Sequence, residues 1–356
     1  MASRKTGISA GTAVLVLVII LAVCGGAGYF AIANAKKGWA AQEAAMPESA
    51  ISTYLNHIKS GDYDAVYEDS LTVNPSLNSK DDYVAKMKEI YDGVDTDKII
   101  YAVDAKATDT EYKLYYDSKY IANLKLIQDG SGKWLASTLF TGNNTYTIEV
   151  PAGLKITANG QSVDDSYKTA TGTAASNFSG LTDTSAAPLV DTYTLTNLLG
   201  KPKIEVEGQS GYGTLDDVLL GSNTIYVGKT STDSNLANAF INDAQIIASY
   251  PAQDGSLGQV AAVSMTNSDW YSRISTLQNT WFTSHSTSQF SNVAASNIIQ
   301  QSDDSAVGYV TFDYYAANSE VNHTWHGGFQ ITFLKSGGAW KIAGMAVDSE
   351  LNPARQ

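Results

Sequence analysis

The chain predicts an α+β protein: a single N-terminal transmembrane helix, then two helix-backed antiparallel-sheet domains flanking a small β-sandwich. Three observations predict this. Thr6 to Ala35 contains no charged residue, and Val14 to Val23 is an unbroken aliphatic run. Two later stretches, 47–143 and 233–350, open with apolar residues at helical spacing and then change to period two. The intervening 144–229 holds only short β-type runs divided by Gly and Pro, with no helix-length apolar pattern. Helices first and a strand meander after them is the order of an α+β layer.

The apolar stretch exceeds the roughly 20 residues a helix needs to cross a bilayer. Arg4 and Lys5 precede it, and Lys36 and Lys37 follow it. A cleaved signal has an apolar core of only about 7 to 15 residues, whereas here Tyr29, Phe30 and Ile32 prolong the run. Two alternatives stay open: a lipobox around Cys24, in which Val23 stands where a small residue is expected, and cleavage within Ala31 to Ala35. The expectation is a cytoplasmic tail at 1–5, an anchor at 6–35 that meets the membrane through Gly7 to Ala33, and an Ala-rich stalk at 36–46. Beyond Lys37 lie 19 basic and 36 acidic residues, a net charge of −17, and no cysteine. That excess argues against nucleic acid and against anionic headgroups. The lack of cysteine excludes disulfides and a zinc ribbon there. An acidic, cysteine-free extracytoplasmic region fits a Gram-positive cell surface.

In the first unit, Pro47 and Glu48 open a helix whose apolar face is Ala50, Ile51, Tyr54, Leu55 and Ile58. Gly61-Asp62 ends it, and Tyr63 to Tyr67 forms a short second helix. Ser79 caps a third, carrying Tyr83, Val84, Met87, Ile90 and Tyr91, with Gly93 past its end. Alternating runs follow around Tyr101, Tyr112 to Tyr116, Tyr120 to Leu126 and Trp134 to Phe140, with a turn at Asp129 to Gly132.

In the middle segment, Tyr146 to Pro151 and Leu154 to Ala158 read as strands, and Asn159-Gly160 is a strong hairpin signal. Thr192 to Leu195, Lys203 to Val206 and Thr224 to Val227 add short strands. The Ser-, Thr-, Ala- and Gly-rich stretch Ser166 to Ala187 reads as a flexible loop. The last unit places helices at Asn235 to Tyr250 and Trp270 to Phe282, then strands at Val307 to Tyr315, Val321 to Leu334 and Trp340 to Val347. Leu126 to Ala136 and Phe333 to Ala343 share strand, glycine turn, tryptophan and strand, which reads as a diverged duplication.

That order of helices, curved sheet and closing Gly-x-Trp strand resembles the nuclear-transport-factor-like cone fold, visible at Pro47 to Phe140 and again at about Asp233 to Val347. The segment Ile148-Glu-Val-Pro-Ala-Gly-Leu-Lys-Ile-Thr-Ala-Asn-Gly160 is similar to the β-domain of teicoplanin-resistance-associated membrane proteins of Gram-positive bacteria. The resemblance implies an N-terminal anchor and an envelope role outside the cell, as a sensor or binding module near peptidoglycan. It departs from that family in having five residues before the anchor where a zinc ribbon is common.

Cone folds enclose a pocket, and some relatives use it for dehydration, isomerisation or hydrolysis. That chemistry needs a His or carboxylate in an apolar cavity. Along the strand from Val321, alternation puts His323 beside Trp325 on the apolar face and His326 on the other. Asp313 and Tyr315 share a face of the neighbouring strand. His323 with Asp313 is therefore the catalytic candidate, against a rim histidine bonded to a backbone carbonyl. Trp325 and Tyr315, with Tyr112, Tyr116 and Tyr120 of the first unit, are candidate binding surfaces for sugar or peptide, although cross-strand packing accounts for the tyrosines equally simply. Asp164-Asp165, Asp216-Asp217 and Asp303-Asp304 lack the spacing of a calcium loop. No metal or other cofactor is expected. The function expected is extracytoplasmic binding, sensing or scaffolding at the cell envelope, with a wall component, lipid, small molecule or envelope protein as partner. The alternative is a tethered cone-fold enzyme.

Overall fold

The computed structural model describes residues 46–104, 110–140, 145–217, 221–277 and 284–351. The expected tail, anchor and nearly all of the stalk lie outside the described residues. Among the described residues no helix is long and apolar enough to cross a membrane. The chain divides into two compact units, one of 46–72 with 83–140 and one of 73–82 with the residues after 140.

The first unit is α+β. Helix α1 (Pro47–Ser60) has proline in its first turn and buries Ala50, Ile51, Tyr54 and Ile58. Gly61 stops it by taking a left-handed backbone at φ 71°, which costs glycine no Cβ clash. Helix α2 (Tyr63–Glu68) is capped by the Asp62 carboxylate, which accepts from the Ala65 N–H. Helix α3 (Lys80–Tyr91) buries Tyr83, Met87 and Tyr91. Strands β1 (Ile100–Val103), β2 (Glu111–Tyr116), β3 (Lys119–Gln128) and β4 (Trp134–Leu139) form an antiparallel sheet in sequence order. The β3–β4 turn is closed by Asp129, which accepts from the N–H groups of Ser131 and Lys133.

The second unit opens with strands β5 (Tyr146–Pro151), β6 (Ile156–Ala158), β7 (Gln161–Ser162), β8 (Lys168–Ala174), β9 (Leu189–Leu195), β10 (Ile204–Val206), β11 (Tyr212–Asp216) and β12 (Thr224–Thr230). Helices α4 (Ser234–Ser249), α5 (Leu257–Val263) and α6 (Asp269–Ser275) follow. Strands β13 (Thr287–Ser302), β14 (Ser305–Ala317), β15 (Asn322–Ser336) and β16 (Ala339–Val347) complete it. A three-stranded sheet β10-β6-β7 packs on the strands of the middle segment. Their shared core includes Ile148, Val150, Ile156, Tyr193, Leu195 and Ile225, so two sheets face each other there.

The larger sheet does not stop at residue 229. Its order is β16-β15-β14-β13-β12-β5-β9-β8, because Lys229 and Thr230 of β12 pair with Gln300 and Ile299 of β13. An exposed β12 edge would present unpaired N–H and C=O groups, and β13 covers it.

Three sequence expectations need correction. Part of Ser166 to Ala187 is strand β8, paired with β9 at an edge. Its small side chains stay mostly exposed, so it carries no apolar alternation. Strand β13 had no sequence signal either. Asn292 and Asn297 adopt positive φ, and register shifts break its pairing with β14. Such bulges destroy the two-residue period on which strand reading depends. The helix expected at Trp270 to Phe282 ends at Ser275, and Trp281 and Phe282 lie outside the described residues.

Helices α4 to α6 cover one face of β13–β16. Leu236, Phe240, Ala244 and Ile247 of α4, Val260 of α5 and Trp270 and Ile274 of α6 pack against Val310, Phe312, Tyr314, Ile331 and Phe333. The helix-facing residues of β14 are therefore the even-numbered ones. Parity along this strand decides which candidates meet.

Candidate functional site

Asp313 has odd parity and lies on the opposite face. There it accepts from Asn292 Nδ2 at 2.6 Å and pairs with His326 Nδ1 at 2.6 Å. The amide of Asn292 and the imidazole of His326 hold its carboxyl below the usual range. His323 sits across from Ala316. It is exposed, with its ring edge-on to Trp325 at 4.6 Å between centroids. The pairing expected between His323 and Asp313 is thus not formed. Antiparallel register places Asp313 opposite His326, and cross-strand partners share a face. Tyr315 is half-buried on the same side as Asp313.

The helix-facing side brings together three other residues. Tyr314 lies on β14 between Phe312 and Ala316, Asp254 in the turn after α4, and His285 just before β13. The Tyr314 hydroxyl donates to Asp254. His285 Nε2 lies 3.1 and 3.2 Å from the two Asp254 oxygens and 3.3 Å from the Tyr314 oxygen. Burial by itself would raise the Asp254 carboxyl, but bonding to Ser288, Tyr314 and His285 outweighs it and holds the group below the usual range. The Tyr314 phenol is pushed well above its ordinary value, by burial first and by donation to Asp254 second. At neutral pH the centre is thus an ionised carboxylate held by a neutral phenol and an imidazole.

Each member of this trio lines a different depression. Asp254 borders a groove of about 420 Å³ with Asn242, Gln245 and Ser249 of α4, Gln259 of α5 and Phe290 of β13. Tyr314 borders an apolar cavity of about 70 Å³ floored by Ile247, Ile274, Phe312, Phe329 and Met345. His285 borders a groove of about 370 Å³ with Val321, His323 and Trp325. His323 and Trp325 therefore belong to the rim of the site, though not to its acid–base centre. Position 259 is set by a capping box, in which Ser256 accepts from the Gln259 N–H and the Gln259 side chain accepts from the Ser256 N–H. Sequence reading missed the trio, since 31 and 60 residues separate Asp254 from its two partners. The even parity of Tyr314, shared with Phe312 and Val310, was the one signal available.

In the first unit buried tyrosines lie between the helices and the sheet. The Tyr54 hydroxyl lies 2.9 Å from that of Tyr91 and 2.5 Å from Thr138 Oγ1, all buried. Tyr83, Met87, Leu114 and Leu124 are fully enclosed. Burial pushes the Tyr83 phenol up to about 12 and raises Tyr54 well above its ordinary value. Of the tyrosines expected to bind, Tyr112 is buried and packs edge-on against Tyr101. Tyr116 is half-buried. Tyr120 is 44% exposed with Tyr115 against its ring. The structure does not gather them into one surface. Among the described residues no group of three or more His, Cys, Asp or Glu is placed to hold a metal ion.

A helical layer packed on a curled antiparallel sheet gives the first unit the layout of an NTF2-like fold. Residues 46–152 match the family described as the NTF2-like N-terminal transpeptidase domain, less than a third of the chain. Among solved structures the chain is similar to an "Ntf2 like protein involved in plasmid conjugation". Identity is 10% over 80% of this chain and 93% of that one, with a TM-score of 0.25. No curated protein matches the chain.

Proposed function

We propose that the protein is a membrane-anchored extracytoplasmic binding module of the cell envelope, with its ligand site on the helix-facing side of the second unit's sheet. The observation that carries this is the groove beside Asp254. Side-chain amides and hydroxyls of Asn242, Gln245, Ser249 and Gln259 line it together with the Phe290 ring, and the Asp254–Tyr314–His285 centre stands at its edge. A fixed carboxylate and several amides beside an aromatic face suit a ligand rich in hydroxyl and amide groups, such as a peptidoglycan fragment. The uncharged run from Thr6 to Ala35 and the acidic remainder support the anchor and the extracytoplasmic side. The description of the family matched by residues 46–152 links that fold to transpeptidases, which is in keeping with an accessory domain at the wall. A role near that of teicoplanin-resistance-associated proteins belongs to this proposal and rests on the β-segment from Ile148 to Gly160.

Calorimetric titration of the protein with soluble muropeptides tests the ligand. Binding by the wild type, weakened about tenfold or more in Tyr314→Phe and Gln245→Ala, is the expected result. Absence of binding to glycan, stem peptide and their conjugates would sink it. Protease treatment of intact cells tests the topology, and survival of an epitope placed after Gln356 would refute it. A second reading, a tethered enzyme, draws on the contact of His285 with an ionised Asp254 beside Tyr314, which borders an apolar cavity. Turnover of any bound fragment that disappears in His285→Ala would establish it over simple binding.

A further inference from the structure

Two grooves of the second unit meet at a single contact. Asp254 lines the groove of about 420 Å³ and His285 lines the one of about 370 Å³, and His285 Nε2 stands 3.1 Å from an Asp254 oxygen. Beneath that contact an aromatic floor runs from one groove to the other. Phe290 of β13 is the register partner of Tyr314 on β14, and Tyr314 is the register partner of Trp325 on β15. Register partners show their side chains on one face, so three rings stand in a row across three adjacent strands. Ring centroids lie 4.9 Å apart from Phe290 to Tyr314 and 6.2 Å apart from Tyr314 to Trp325. Phe290 lines the first groove and Trp325 the second. Tyr314 is buried between them, with its hydroxyl donating to Asp254. Two strand spacings cover about 10 Å, so the outer rings stand farther apart than one sugar ring reaches.

The two grooves carry the same kinds of group. Beside Phe290 stand the amides of Asn242 and Gln245 and the hydroxyl of Ser249. Beside Trp325 stand the amide of Asn322, the hydroxyl of Ser284 and the ring of His323. Asn318 fixes the wall of the second groove: its Nδ2 donates to the Ser284 carbonyl at 2.8 Å, and its Oδ1 accepts from the N–H groups of Glu320 and Val321. An aromatic ring flanked by amides and a hydroxyl suits a pyranose, whose face is apolar C–H and whose edge carries hydroxyl and acetamido groups. A set of groups repeated on both sides of one contact suits a ligand that itself repeats. Charge narrows the class. Among the described residues lining the grooves, Asp254 is the one carboxylate and none is Lys or Arg. An acidic peptide would meet a like charge there with no cation to offset it.

We infer that the two grooves are neighbouring subsites for a neutral oligosaccharide of N-acetylated amino sugars, an assignment that rests on the groove beside Asp254 being the ligand site. One sugar ring lies on Phe290 and another on Trp325, and the linkage between them crosses the Asp254–His285 contact. The wall component held is then the glycan and not the stem peptide. Gln245 and Phe290 serve the first subsite, and Asn322, His323 and Trp325 serve the second. A sugar in the first subsite presents the next one to Trp325 at high effective concentration. Affinity therefore grows steeply until both subsites are filled and levels once they are.

Calorimetric titration of the full-length chain with N-acetylglucosamine, with its linear di-, tri- and tetrasaccharides, and with a free stem peptide tests this. The expected result is affinity that rises about tenfold or more from the monosaccharide to the trisaccharide and then levels. Trp325→Ala should weaken the trisaccharide about tenfold or more and leave the monosaccharide unchanged. Gln245→Ala should weaken both alike. Asn322 and His323 are exposed, so Asn322→Ala and His323→Ala keep the fold, and each should cut the gain with length about threefold or more. These two variants decide the matter if Trp325→Ala does not fold. Trisaccharide binding with no gain over the monosaccharide overturns the inference and leaves the groove beside Asp254 as a ligand site. A gain with length that persists in every folded variant of Asn322, His323 and Trp325 does the same, because the second sugar then lies elsewhere. Binding of the stem peptide but of no glycan also overturns it and gives the groove to peptide. Binding of no fragment at all removes both the inference and the ligand site on which it rests.

Discussion

Asp243 is a carboxylic acid built into the hydrophobic face of α4, and removing its charge makes the sharpest test of the second unit. It is 9% exposed, one residue from Ala244 in the helix–sheet core. Burial pushes its carboxyl up to about 7, and the attraction of Lys341 across on β16 offsets that only in part. An unfolded Asp titrates near 3.9. The folded state thus holds a proton that the unfolded state releases through a window of about three pH units. Between about pH 4 and pH 7 the unfolded chain binds fewer protons than the folded one, so stability falls as pH rises, and above about pH 7 the loss is complete. At 1.36 kcal/mol per pH unit the loss amounts to about 4 kcal/mol. Asp243→Asn keeps the shape and removes the titration. Urea unfolding at 25 °C, read from pH 4 to pH 8, should show the variant nearly matched to wild type at the acid end. It should be about 4 kcal/mol more stable at the alkaline end. Other carboxylates titrate alike in both proteins and cancel. A difference that stays constant within about 1 kcal/mol across the range, or that shrinks as pH rises, refutes the reasoning.

Further substitutions test the packing. A Cβ at Gly327 would stand 2.3 Å from Phe312 Cζ, so Gly327→Ala should destabilise the second unit by about 1–3 kcal/mol in chemical denaturation. Phe240 is fully buried against Phe333 at 4.4 Å, and Phe240→Ala should cost about 3–5 kcal/mol by the same measurement. Lys168 Nζ lies 3.2 Å from the buried Asp191, which also accepts from the Gly153 and Gly172 N–H groups. Lys168→Ala should lower stability by about 1–3 kcal/mol, and Lys168→Arg should recover part of it. In the first unit, Tyr54→Phe strips a shared partner from Tyr91 and Thr138 and should cost about 1–2 kcal/mol without altering ligand binding.

The parts of this protein legible in its sequence are those governed by near neighbours. The faces of α1 and α4, the stop at Gly61, the cap at Asp62 and the turn at Asp129 depend on residues within about one turn of each other. The α+β class and the NTF2-like first unit follow from the order of such segments. The switch to period two was equally visible in β14 to β16, where alternation is regular. It was invisible in β13, because positive φ at Asn292 and Asn297 resets which side chain faces inward, and in β8, whose edge position asks for no apolar face. Only the tertiary structure decided the pairing of β12 with β13, which makes one sheet of segments that read as separate. It also decided the chemistry. Asp313 was chosen from the sequence as the partner of His323, yet pleat parity turns it to His326. The acid that meets a histidine on the helix-facing side is Asp254, brought to His285 and Tyr314 by a helix end and two strands. Glu149 and Tyr226 are likewise brought together only by the parallel register of β5 and β12. Local patterning records which face a residue shows, but not which distant residue shares that face, because that depends on register and crossover, which are set when whole sheets and helices pack.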